Sequence, residues 1–213
     1  STFNRCTGIM DKDFIDAIWM MSCTMIVVMM QAGFLCLETG QTRTRHVISV
    51  AYKNIADMCI VTVIFFLFSY QYIYSNESLH WSYFSKIERN PFELSFFMLQ
   101  MFFCCTAITI VSGAIAERTR SLAYIFIAAI TAGITYPIVA QLTWGGQLNH
   151  GELGWLRKIG FVDFAGASVV HSLGGWVGLA SVIIIGPRLG RYSKKRPEKD
   201  KVYSGNVPLT ILG

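Results

Sequence analysis

An all-α polytopic membrane protein is the fold class this sequence predicts, on three observations. Long uncharged stretches recur five times in 213 residues; 53% of residues are hydrophobic and only 15% charged; and basic residues gather in alternate connections. Soluble domains carry about a quarter charged residues and bury one such stretch, seldom five in series. The stretches are Ala17–Leu37, Met58–Ser75, Leu94–Ala116, Ser121–Trp144 and Phe164–Pro187, with His171 inside the last. A helix rising about 1.5 Å per residue needs about 20 residues to cross a hydrocarbon core of about 30 Å. Four stretches reach that length alone. The second reaches it by extending back through Asp57 towards Lys53. In lipid the backbone must pair its own polar groups, so each stretch reads as a helix.

Each element has its own punctuation. The first stretch follows Asp11, Asp13 and Asp16, is too long for a signal-peptide core and lacks a small-residue cleavage pattern after it. Arg43 and Arg45 follow it, Arg118 and Arg120 follow the third, and Arg188 to Lys201 follow the fifth. That side carries eleven Lys and Arg, against six on the other: Arg5, Lys12, Lys86, Arg89, Arg157 and Lys158. The positive-inside rule then predicts an external N-terminus and a cytoplasmic Arg188–Lys201 segment. Ser193–Lys201 reads as a topology-setting loop near anionic headgroups more simply than as a partner-binding patch, and the net charge of +5 gives no reason to expect nucleic acid. A further apolar run opens at Val207. The expectation is one transmembrane domain over 1–213, five helices and the start of a sixth, cut from a longer protein. The start at Ser1 without Met fits upstream processing or trimming of the chain.

Of the six cysteines, Cys23, Cys36, Cys59, Cys104 and Cys105 lie in apolar stretches, and Cys6 does not. None forms a C-x-x-C pair, so they read as packing residues, with no disulfide framework and no zinc site. No catalytic residue, cofactor or metal is expected. There is no Gly-x-Ser-x-Gly elbow, no Thr-Val-Gly-Tyr-Gly filter and no phosphate-cradling glycine loop.

Depth organises the remaining candidates. On the expected topology the external loops are about Tyr74–Pro91 and Gly145–Val162. Trp144 closes the fourth stretch at the outer face and Asp163 precedes the fifth. His171 lies eight residues further, about 12 Å along a regular helix, and Phe103 lies about 14 Å inside Leu94. An ionisable residue within a span marks a functional site by default. The alternative for His171 is a hydrogen bond that ties two helices together. His46, His80 and His150 fall in loops, which argues against a bis-His haem site. Asp163 reads as an N-cap, or else as a carboxylate favouring a cation at the mouth. Trp144 reads as an interfacial aromatic, or as an indole face able to hold a small cation for about 2 kcal/mol. Phe103 reads as packing or as a gate. Lys53 and Asp57, four apart, read as an ion pair or as a snorkelling Lys with its Asp, and Gly174-x-x-x-Gly178 as a close helix contact.

Several stretches together resemble the ammonium transporter, methylammonium permease and Rhesus family. They are Gln31 to Gly40, Lys53-Asn54, Ile110 to Arg118, Tyr136-Pro137, Trp144 to Gly146, Asp163 to His171, Gly186 to Gly190 and Asn206 to Pro208. The resemblance implies the first half of an eleven-helix fold of two inverted halves, assembled as a homotrimer in the plasma (inner) membrane, with one pore per protomer. It implies that Trp144 recruits ammonium, Phe103 gates the mouth, Asp163 is the carboxylate beneath it and His171 is the first pore histidine. The implied activity is ammonium recruitment and ammonia passage, not an enzymatic reaction. The second pore histidine, second gate phenylalanine and remaining recruitment hydroxyl of the family lie in parts beyond Gly213. An alternative is a sensor of the same fold that signals through a fused cytoplasmic domain. Gly154-Trp-Leu and Gly174-Gly-Trp176 are similar to sensor-fused members.

Overall fold

The computed structural model describes residues 2–74, 90–148, 153–188 and 205–213. The expected basic stretch Arg191–Lys201, His80, His150 and parts of both external loops lie outside the described residues. Seven helices are described: α1 (Thr2–Gln41), α2 (Thr44–Tyr74), α3 (Pro91–Ile115), α4 (Ser121–Trp144), the short α5 (Trp155–Lys158), α6 (Ala167–Ile185) and α7 (Val207–Leu212). The five spans long and apolar enough to cross a membrane are Phe14–Gln41 of α1, then α2, α3, α4 and α6. The five uncharged stretches thus became five helices, and a helix begins at Val207 as expected.

The central helix is α3. It is largely buried, and packs against α1, α2 and α6. Asn90 accepts from the Phe92 amide through its side chain and Pro91 occupies the first turn, where its missing N–H costs nothing. Gly174 and Gly178 of α6 make the expected close contact. A Cβ on Gly174 would lie 2.7 Å from the Ala107 carbonyl oxygen, and one on Gly178 would lie 3.0 Å from the Ala114 Cβ.

Helices α2 and α4 each contain a π-helical turn, at Phe65–Ser69 and Thr131–Thr135, and the two turns lie side by side. A π-turn frees backbone groups that lipid cannot satisfy. Ser69 answers this by donating its hydroxyl to the Ala132 carbonyl at 2.7 Å. The turn in α4 also accommodates Pro137, which has no amide to give the helix.

The cysteines make no disulfide among the described residues. Cys104 and Cys105 are buried packing residues as expected, but Cys59 is exposed on α2, because its side of that helix faces out of the bundle.

Candidate functional site

Two of the four predicted site residues, Trp144 and Phe103, meet at the end of the bundle where α4 stops, and the turn that carries Asp163 lies against Trp144. Trp144 is only 6% exposed, so it is not a lipid-belt tryptophan. Its indole lies 6.1 Å, centroid to centroid, from the ring of Phe103, tilted by 37°. The chain before α6 closes over it. Ala165 and Gly166 both adopt positive φ (53° and 80°), and a Cβ on Gly166 would lie 3.5 Å from Trp144 Cη2. Gly166 thus meets two demands at once, a left-handed backbone and close approach to Val170, whose Cγ2 would lie 2.7 Å from a Cβ there.

Asp163 is held by that same turn. Its Oδ1 accepts from the Ser168 amide at 2.9 Å and its Oδ2 from the Val169 amide at 3.1 Å. Both oxygens therefore meet orphan donors at the start of α6, as a cap does. A carboxyl group fixed by two amides is also rigidly placed, in the turn whose Gly166 lies against Trp144.

His171 is placed differently from expectation. Because Asp163–Gly166 is a turn and α6 begins only at Ala167, His171 lies four residues into the helix, roughly 6 Å rather than 12 Å. The first turns of α6 are π-helical, and the His171 amide donates to the Gly166 carbonyl at 3.2 Å. Val169 and Val170 turn into the core, whereas His171 is exposed. Its ring makes no side-chain hydrogen bond among the described residues. It shares an exposed strip with Gly175, Leu179 and Ile183, and with Ser172 and Trp176 alongside.

At the opposite end, side chains from different helices form a polar junction that sequence reasoning missed. Glu38 Oε2 accepts from Asn54 Nδ2 at 2.9 Å and from Ser112 Oγ at 3.1 Å. Asp57 Oδ2 accepts from the Tyr124 hydroxyl. Lys53 does not pair directly with Asp57 as expected. Its ammonium donates to the Thr119 carbonyl at 3.1 Å and lies 5.5 Å from the centre of the Tyr124 ring. Nearer the middle, Gln31 bridges Thr106 at 2.8 Å and Thr109 at 3.2 Å. At the junction's edge, Glu117 accepts from the Arg43 amide at 2.9 Å and faces the guanidinium groups of Arg43 and Arg188 at 3.8 and 3.6 Å. Arg118 donates to the Gly186 carbonyl at 2.8 Å. The connections after α1, α3 and α6 thus share one end of the bundle. The available signal was spacing: Gln31 and Glu38 lie two turns apart on one face, opposite Thr106, Thr109 and Ser112.

Residues 18–213 match the model of the Ammonium Transporter Family. A relative from Synechocystis sp., provisionally named an ammonium transporter, is 40% identical over 93% of this chain and 38% of its own length. Ammonium transporter Amt2 of Archaeoglobus fulgidus is 36% identical over 93% of this chain and 44% of its own. Among solved structures, one titled Sensor Amt Protein superposes with a TM-score of 0.85 at 35% identity, covering 94% of this chain and 51% of that one. Candida albicans Mep2 gives a TM-score of 0.71 at 23% identity, over 92% of this chain and 44% of its own, a likeness of fold. The chain spans about half the length, or less, of these relatives.

Proposed function

The chain belongs to the ammonium transporter family, and from that premise we propose that it supplies the recruiting and first conducting half of an ammonium pathway. The observation that carries this reading is the meeting of Trp144, Phe103 and the Asp163 turn at one end of the bundle, with His171 about one helical turn further in. Bare ammonium entering hydrocarbon would cost tens of kcal/mol. Aromatic faces and a fixed carboxylate hold it at the mouth. Beyond Phe103 it passes as ammonia while its proton crosses separately, so that net charge moves, and the ring nitrogens of His171 serve as hydrogen-bond partners along the way. The exposed strip of α6 is the wall against which the remainder of a longer protein packs, so that His171 lines a corridor between two halves. The whole protein is proposed to be a trimer in the plasma membrane, with the Trp144 end outside.

The test is a current measurement on the full-length protein in lipid vesicles after an ammonium pulse. Conduction predicts a transient that Trp144→Leu reduces at least tenfold. A full-size transient in that variant would overturn the assignment of Trp144.

The similarity to a structure titled Sensor Amt Protein, at 35% identity, favours a second reading. Here ammonium binds the same residues and drives a fused signalling domain. Saturable ammonium binding without any current would decide for this reading.

A further inference from the structure

We propose that Glu38 is a proton-exchanging carboxyl, a second site at the end of the bundle opposite Trp144. Among the described residues, the buried charged residues are Glu38 (4% exposed), Asp57 (1%) and Lys53 (6%). Lys53 is thus the one fully buried base beside two fully buried acids, while Arg188, partly exposed and facing Glu117, stands at the rim of the Glu38 cavity. A buried charge without a partner is expensive enough that the group takes up a proton or a small cation instead. Glu117, outside this count, faces Arg43 and Arg188.

Geometry selects Glu38 over Asp57. Each has one oxygen without a hydrogen-bond partner, Glu38 Oε1 and Asp57 Oδ1. Asp57 has the Tyr124 hydroxyl on its other oxygen, with Lys53 one turn back on its own helix. Glu38 instead lines a cavity of about 220 Å³, together with Thr42, Thr109, Gly113 and Arg188. Gly113 leaves room at the free oxygen, since a Cβ there would lie 3.3 Å from Oε1. Thr42 and Arg188 stand past the ends of α1 and α6, so the cavity reaches from the buried carboxyl to that end of the bundle. A proton from water there converts the carboxylate to the acid, and its return to water restores it. The titratable and charged groups around the site are Lys53 and Asp57 from α2, Tyr124 from α4 and Arg188 after α6. From α3 the carboxyl meets Ser112 and Gly113, and α7 carries no titratable side chain.

The experiment is infrared spectroscopy of the full-length protein in lipid, without ammonium, so its outcome is independent of the transport and sensor readings. A carbonyl band of a protonated carboxyl is expected, and Glu38→Gln is expected to remove it while Asp163→Asn leaves it in place. Absence of the band in the unaltered protein, or its persistence in Glu38→Gln, overturns the proposal. Appearance of the band only after sodium, potassium or ammonium is washed out also overturns it, because the site then holds a cation. Should Glu38→Gln fail to assemble, Ser112→Ala removes one donor to the carboxyl and is expected to displace the band. A band that does not move rejects the assignment.

Discussion

The two ends of the bundle handle buried carboxyl groups in opposite ways. At the Trp144 end, Asp163 rests on two backbone amides only five and six residues ahead. At the other end, Glu38 and Asp57 rest on side chains of three other residues, each on a different helix from the carboxyl it serves. A carboxylate on local amides keeps its geometry with little help from tertiary packing, and its charge remains available to a ligand. A carboxyl held between helices depends on every helix that supplies a donor, and binds the bundle together in return. The first arrangement suits recognition and the second suits assembly.

The sharpest break of this contrast is Asp57→Leu. It leaves the Tyr124 hydroxyl without its acceptor and Lys53 without its nearest buried counter-charge. Removing one partner of a buried polar cluster typically costs about 3–5 kcal/mol. Unfolding in detergent should show a loss of that size. A loss under about 1 kcal/mol would mean that α2 and α4 do not depend on this link.

A smaller effect separates cap from charge at the other end. Asp163→Ala deletes both acceptors and should cost about 1 kcal/mol, the usual worth of a cap. Asp163→Asn keeps one acceptor oxygen and should recover most of that stability. If the carboxylate also holds ammonium, neither variant recovers the ammonium response. Full recovery of response by Asn would reduce Asp163 to a cap. Milder still is Glu117→Gln. It keeps an acceptor for the Arg43 amide but loses the charge facing two partly exposed guanidinium groups, for about 0.5–1 kcal/mol. Added salt should shrink that difference, and a difference that ignores salt would discount the ion pairs.

This contrast also explains what was legible in the sequence. Five helices were readable because membrane-crossing length is a local property of the chain. Asp163 as a cap was readable for the same reason, since its partners lie just ahead of it. The starting point of α6 was not, because an uninterrupted apolar run conceals the turn at Ala165 and Gly166. Phe103 meeting Trp144 required a fold, and here the family resemblance supplied what spacing could not. The Glu38 junction escaped notice because its donors, Asn54 and Ser112, lie 16 and 74 residues away. Lys53 and Asp57 misled for the converse reason: helical spacing offered a partner close at hand, while Thr119 and Tyr124 took both side chains.

His171 gives the smallest effect on stability and the most informative one on function. Its side chain is exposed and unbonded among the described residues, so His171→Ala removes no packing and leaves no buried group unpaired. Stability of the five-helix unit should change by less than about 0.5 kcal/mol, as for ordinary surface substitutions. A strip that only faced lipid would predict unchanged function as well, because alanine is at home in hydrocarbon. A strip that lines a corridor against the rest of the protein predicts the reverse, an intact assembly whose ammonium-dependent flux or signalling changes. Measuring both in one preparation of full-length protein decides the matter: unaltered flux and signalling in correctly assembled His171→Ala would leave the imidazole with no part in the pathway, and would confine recognition to the Trp144 end.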